Sequence, residues 1–121
     1  MSDQSHRATI SMAGEPYTAT VDGNVVAHTE HAMILEEEKG GKAYPPVVYF
    51  PREDVVAESL QPTDHHSHCP IKGDASYFTV TADGKALVNA AWSYEKPLPQ
   101  AGAVKNYVAF YPDKVSVARA A

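Results

Sequence analysis

Apolar and polar residues alternate along two short stretches of the chain, and each stretch runs into an Asp-Gly pair. The segments are Tyr17–His28, with Asp22-Gly23 at its centre, and Phe78–Asn89, with Asp83-Gly84 at its centre. Alternation with a period of two is typical of half-buried strands, and Asp-Gly suits a type I′ turn because both central residues need positive φ. The pattern therefore predicts two tight β-hairpins.

The two hairpins also resemble each other in sequence. Thr18 and Thr79 are 61 positions apart, and the same offset carries Val47–Pro51 onto Val108–Pro112. Two blocks that share one offset predict an internal pseudo-repeat of period 61, although hairpins and aromatic strand ends could also look alike without a duplication. A duplication implies two antiparallel β-meanders packed together, each covering the apolar side of the other.

The rest of the chain adds strands, loops and one or two short helical turns. The predicted strands are Ala32–Leu35, Val47–Phe50, Tyr107–Tyr111 and Val115–Ala118. Helical turns are expected near Pro51–Val55 and Ala101–Asn106, and loops at Glu36–Lys42 and Gln61–Gly73. No linker divides the sequence, so we expect an all-β fold in a single domain over residues 1–121.

Composition and charge narrow the classes of partner. Apolar residues make up 44% of the 121 positions, which is enough for a core, and the formal charge is −5 without a basic block. We therefore expect no nucleic-acid partner. No apolar run approaches the length of a membrane span and no signal peptide is visible, so we expect no membrane partner. The single cysteine favours the cytoplasm, and we expect a monomer or weak homodimer.

The densest cluster of reactive groups lies in the segment Thr63–Gly73, which holds three histidines, Cys69 and Lys72. Histidine and cysteine bind zinc, but tetrahedral sites usually draw on two separated pairs of ligands. Neighbouring His68 and Cys69 cannot easily bind one ion together, so we predict no metal and no cofactor. An enzymatic interpretation makes Cys69, Lys72 and His65 the catalytic candidates, with Cys69 as nucleophile. Alternatively, Cys69 is a small buried hydrophobic residue beside solvated histidines.

The second hairpin predicts an aromatic surface. A two-residue turn pairs Ala82 with Lys85 and so places Tyr77 opposite Ala90. Paired residues share a face, which separates an aliphatic face from an aromatic one. The aromatic face carries Tyr77, Trp92 and Tyr94. With Arg52, His65, Cys69 and Lys72 as polar groups at its rim, this face is a candidate platform for a small ligand, unless Trp92 belongs to the core.

Four motifs together resemble domain-of-unknown-function family 427, which also carries a nucleotidyltransferase-type name. They are Tyr49–Val55, the Cys-Pro-x-Lys-Gly segment from Cys69 to Tyr77, the Trp-x-Tyr segment Ala91–Pro97, and Phe110-Tyr111. The resemblance spans about Val21 to Val117. It implies a compact β-tent or Mss4-like fold, in which two antiparallel sheets meet at an angle. Relatives with that architecture use aromatic cages for small ligands and cysteine pairs for zinc, whereas this sequence has one cysteine.

These observations predict an uncharacterised β domain that binds a small molecule through the aromatic platform and the Cys-Pro-x-Lys-Gly loop. Two alternatives stay open. One is an enzyme that uses Cys69 or Lys72, as the nucleotidyltransferase-type name implies. The other is a protein-interaction module that uses exposed aromatic side chains.

Overall fold

The computed structural model describes residues 6–120, and antiparallel strands dominate them. The strands are β1 (His6–Met12), β2 (Tyr17–Val21), β3 (Asn24–Thr29), β4 (Met33–Lys39), β5 (Lys42–Ala43), β6 (Val47–Pro51), β7 (Leu60–Cys69), β8 (Gly73–Ala82), β9 (Lys85–Ser93), β10 (Tyr107–Phe110) and β11 (Ser116–Arg119). Short 3-10 turns occupy Arg52–Asp54, Ala57–Ser59 and Pro99–Val104. The predicted all-β class with short helical turns is confirmed.

The strands form two sheets. The larger sheet has the order β1-β4-β6-β10-β9-β8-β7, and β5 pairs with the C-terminal end of β4. The smaller sheet has the order β11-β2-β3. This arrangement is compatible with a fold in which two antiparallel sheets meet at an angle.

Both Asp-Gly turns close two-residue hairpins, as predicted. Asp22 and Gly23 have φ of 50° and 83°, and Asp83 and Gly84 have φ of 53° and 76°. The flanking residues pair across each turn, in the small sheet for β2–β3 and in the large sheet for β8–β9. Positive φ at both central positions is the type I′ geometry that matches the twist of the strands.

The structure gives the predicted 61-residue duplication no support. The two matching hairpins lie in different sheets, and only the second continues into the strand that should follow it, since β9 pairs with β10. The two matching blocks Val47–Pro51 and Val108–Pro112 instead contribute the adjacent strands β6 and β10. Shared turn chemistry is sufficient to produce the local similarity between the hairpins.

Two apolar clusters pack against opposite faces of the large sheet. The first lies between the sheets, where Ala19 and Val26 of the small sheet meet Phe50, Phe78 and Phe110 of the large one. The second lies on the other face, which the 3-10 turn Pro99–Val104 covers in part. Its buried members are Leu35, Tyr49, Ala75, Tyr77, Tyr94, Ala101, Val104 and Ala109.

Both predicted loops are partly strand, and β1 was not predicted. Most of Gln61–Gly73 belongs to β7, and β4 extends to Lys39 through the segment expected to be a loop. The reason is their position: β7 ends the strand order and exposes most of its side chains, so its sequence carries no apolar alternation. Pro62 lies beside the irregularity in the β7–β8 register, a place where an edge strand tolerates proline.

Candidate functional site

The aromatic face of the second hairpin is present, in a slightly different register. Beyond Val80 the β8–β9 pairing shifts, so that Tyr77 lies opposite Trp92 rather than Ala90. The shift amounts to two residues, which leaves each side chain on its predicted face. Tyr77 and Tyr94 are buried in the second apolar cluster, and Trp92 packs against it while half-buried. The exposed part of the predicted platform is therefore Trp92.

The Trp92 side chain is held by a hydrogen bond to Tyr49 and by a ring contact with Tyr111. Its Nε1 donates a hydrogen bond to the Tyr49 hydroxyl at 3.2 Å, and the two rings meet edge to face. Burial raises the pKa of Tyr49 well above its ordinary value. On the other side, the ring centroid of Tyr111 lies 4.6 Å from that of Trp92. These contacts fix the orientation of the indole.

A cavity of about 420 Å³ adjoins Trp92. Strands β6 and β10 are antiparallel neighbours, so the start of β6 and the end of β10 lie side by side and supply most of the wall. Its lining is mainly apolar and aromatic: Tyr44, Pro45, Pro46, Val47, Val48, Trp92, Phe110, Tyr111, Pro112 and Val117. Of these ten residues, only Trp92 was assigned to a site from sequence, and the unassigned ones include Tyr44, the two prolines before β6 and Tyr111.

Tyr111 supplies a polar group at the end of β10. Burial, followed by the neighbouring Tyr77 hydroxyl, raises the pKa of Tyr111 to about 12. Its phenol is therefore protonated at neutral pH and can donate a hydrogen bond. Tyr111 belonged to a motif of the family resemblance, and that motif was the sequence signal that could have identified it.

The Cys-Pro-x-Lys-Gly segment forms the tight connection between β7 and β8. Cys69 pairs with Gly73 across it, and Gly73 has φ of 106°, a conformation that favours glycine. A Cβ on Gly73 would lie 3.2 Å from the backbone nitrogen of Leu98. The Leu98 N–H in turn donates to the Lys72 carbonyl at 2.9 Å. The motif glycine thus permits the segment to pack directly against residues 96–98.

Lys72 points into the curl of the large sheet, where Glu37 of β4 accepts a hydrogen bond from it. The distance from Nζ to Oε1 is 2.8 Å, and Nζ lies 5.8 Å from the centre of the Tyr94 ring. Burial is the largest single influence and lowers the pKa of Lys72, but the hydrogen bond to Glu37 together with the nearby charges outweighs it, so the pKa is raised overall. A nucleophilic lysine needs the opposite shift. Glu37 therefore favours the charged form of Lys72.

Glu37 has a second partner in His6 of β1. The distance from His6 Nε2 to Glu37 Oε2 is 2.6 Å. Burial is the largest single influence and raises the pKa of Glu37, but the hydrogen bonds and charges of Lys72 and His6 together outweigh it and lower the pKa overall. Cys69 joins this group: one potential ligand atom each from His6, Glu37 and Cys69 lies within 4.8 Å of the other two. Sequence reasoning missed His6 and Glu37, because only the curl of the sheet brings them to Cys69.

The remaining predicted site residues lie apart from this group. The His65 ring meets the Tyr77 ring at 4.4 Å between centroids, but its side chain is exposed on the outer strand β7. Arg52 stacks over Phe78 at 4.7 Å, and Phe78 belongs to the first apolar cluster on the opposite face of the sheet. The structure therefore brings Cys69 and Lys72 together beside Tyr94, and does not bring Arg52 to the aromatic face.

The fold and this site define a β-rich domain whose curled antiparallel sheet encloses an aromatic and charged interior. Residues 9–121 match the model of the family described as a domain of unknown function, DUF427, and the chain belongs to that family. No curated protein matches the chain. Within residues 6–120, no helix is both long and apolar enough to cross a membrane.

Proposed function

We propose that this domain binds a small molecule in the cavity beside Trp92. The observation that carries the proposal is an apolar space of about 420 Å³ against the indole ring, walled by the rings of Tyr44 and Tyr111. Ligand sites are typically concave, mainly apolar and within roughly 300–1,000 Å³. The space beside Trp92 meets these three criteria.

The lining indicates the chemistry of the ligand. Four aromatic side chains, with several prolines and valines, favour a flat, largely apolar molecule, since such walls offer stacking and little charge. The protonated phenol of Tyr111 offers one hydrogen-bond donor. A ring compound with a single polar substituent fits this description better than a phosphorylated or highly charged one.

Fluorescence can test the proposal directly, because Trp92 is the single tryptophan in the chain. We would titrate indole, p-cresol and adenosine into the protein and follow Trp92 emission after subtracting the signal of each ligand alone. Thermal unfolding would be recorded in parallel. A ligand at 100 times its Kd should stabilise the fold by about 2.7 kcal/mol. Absence of saturable binding by every member of a wider panel of cyclic compounds would contradict the proposal.

Two variants of one residue provide the matched control. Tyr111→Ala removes a wall of the cavity and should weaken binding of any compound that Trp92 reports on by about tenfold or more, since an aromatic contact contributes roughly 1 kcal/mol and burial adds to it. Tyr111→Phe keeps the ring and loses only the hydroxyl donor, so it should weaken binding by a few-fold, clearly less than Tyr111→Ala. Equal affinity in Tyr111→Ala and the unmodified protein would place the ligand elsewhere.

A further inference from the structure

We propose that His6, Glu37 and Cys69 form a binding site for a divalent transition-metal ion of the zinc class. The three residues come from β1, β4 and the end of β7, and their donor atoms lie within 4.8 Å of one another. Imidazole nitrogen, carboxylate oxygen and thiolate sulfur are the three ligand types that zinc accepts. This site is separate from the cavity beside Trp92 and does not depend on a ligand there.

The three donor atoms are mutually close, as the ligands of one ion are. In a nucleophile relay, the imidazole lies between thiol and carboxylate, which keeps those two groups far apart. Here the Cys69 sulfur and a Glu37 oxygen are themselves within 4.8 Å. Ligands of tetrahedral zinc lie roughly 3.3–3.6 Å apart, so the His6–Glu37 contact would open by on the order of 1 Å on binding.

Lys72 supports this interpretation through the second oxygen of Glu37. Its Nζ bonds to Oε1, whereas Oε2 is the oxygen that faces His6. Carboxylates that bind metals commonly accept such an outer hydrogen bond, which fixes their orientation. The side chains of His6 and Glu37 are 16% and 18% exposed, so the site is sheltered yet reachable from solvent.

Three protein ligands leave a fourth tetrahedral position for water or a small ligand. Among residues 6–120, the group His6, Glu37 and Cys69 supplies three such ligands and no fourth. Three-ligand zinc sites with an open position are the type found in hydrolytic enzymes, whereas purely structural sites are usually closed by four protein ligands. The proposed ion would also join β1 and β4 to β7, the strands at opposite ends of the sheet order.

Cobalt and zinc binding test the proposal on the full chain, freed of any affinity tag and of bound metal. Co²⁺ should bind one ion per chain and give a thiolate charge-transfer band, because Cys69 is the single cysteine. Cys69→Ser should abolish the band. His6→Ala should lower the affinity for Co²⁺ and Zn²⁺ by more than the roughly 10–100-fold typical of an outer-sphere change. His66 is an exposed histidine on β7, so His66→Ala is the matched control and should change neither the band nor the affinity.

A second measurement needs no variant. Zn²⁺ should protect Cys69 of the unmodified protein from alkylation by iodoacetamide in proportion to occupancy, and EDTA should restore the reactivity. The proposal is overturned if Co²⁺ gives no thiolate band, if His66→Ala weakens binding as much as His6→Ala, or if saturating Zn²⁺ leaves alkylation of Cys69 unchanged.

Discussion

Trp92 belongs both to the packing of the large sheet and to the wall of a cavity. Its indole N–H is bonded to Tyr49, which is 1% exposed, while the ring itself is half-buried and borders open space. A half-buried aromatic residue with a satisfied polar group costs the fold little and still offers a stacking surface. Trp92 thus combines a feature of each alternative, packing against the core and an accessible ring face.

The hydrogen bond between Tyr49 and Trp92 should make a measurable contribution to the free energy of unfolding. Tyr49→Phe removes the acceptor and should lower the free energy of unfolding by about 1 kcal/mol, the typical net contribution of one hydrogen bond. Chemical denaturation followed by circular dichroism would measure it. Tyr44→Phe is the control, since Tyr44 is 39% exposed and its hydroxyl can bond to water in either state. Equal stability of the Tyr49→Phe variant and the unmodified protein would contradict the assignment of this bond.

Tyr111 predicts how stability depends on alkaline pH. Its pKa is raised from 10.0 to about 12 in the fold, so the folded chain holds this proton more tightly than the unfolded chain. The resulting stabilisation is complete below the unfolded pKa and is lost as pH rises through the folded one. Tyr111→Phe should therefore lose less stability between neutral pH and about pH 11 than the unmodified protein. Denaturation midpoints of both proteins at the two pH values would measure this difference. The prediction fails if both proteins lose the same stability over this pH range.

At the level of elements, the hairpin β8–β9 shows what local sequence can and cannot predict. The Asp83-Gly84 turn and the division into two faces followed from alternation and turn chemistry, which are local properties. The register beyond Val80 did not follow from these local properties, because Asn89 adopts φ of 53° there and accepts a hydrogen bond from Thr63 of β7. That irregularity depends on a neighbouring strand which the sequence pattern presented as a loop.

Three glycines give a graded test of the connections between strands. Gly84→Ala should cost about 1 kcal/mol, because φ of 76° is unfavourable for alanine although the space is open. Gly73→Ala should cost about 2 kcal/mol or more, since its Cβ would also press on the Leu98 backbone. Gly102→Ala, which has open space and no positive φ, should be nearly neutral. Denaturation midpoints would rank the variants, and a Gly73→Ala protein as stable as Gly84→Ala would contradict the close packing.

For the whole molecule, the decisive feature is the curl that brings opposite ends of the sheet order together. Strands β1 and β7 are at the two ends, yet His6 and Glu37 meet Cys69 and Lys72. The all-β class was predictable because alternation and turns indicate strands wherever they occur. The pairing partners of each strand were not predictable, because alternation identifies a buried face without identifying what covers it. The site residues on β1 and β4 were therefore beyond reach of the sequence.

The ion pair between Lys72 and Glu37 should hold this curl even without a bound metal. Lys72→Met leaves a sheltered carboxylate with His6 as its remaining hydrogen-bonding partner, and should cost about 2 kcal/mol, as expected for loss of a hydrogen bond between charged groups. Arg7→Met is the control, because Arg7 pairs with Glu38, the neighbour of Glu37 on β4, in an exposed ion pair whose loss should change stability by less than about 0.5 kcal/mol. Denaturation in the presence of EDTA would compare the two variants.

Hydrogen exchange locates the effect of the same pair of variants. Strand β1 bonds to β4 on one side and reaches the β7 end of the sheet through side chains. Loss of the Lys72 contact should therefore speed exchange of backbone amides in β1 and β4 more than in the β2–β3 hairpin of the other sheet. The Arg7→Met protein should exchange like the unmodified one. If both variants had the same stability and the same exchange in β1, the closure of the sheet would have to rest on apolar packing against the 3-10 turn Pro99–Val104 instead of on this ion pair.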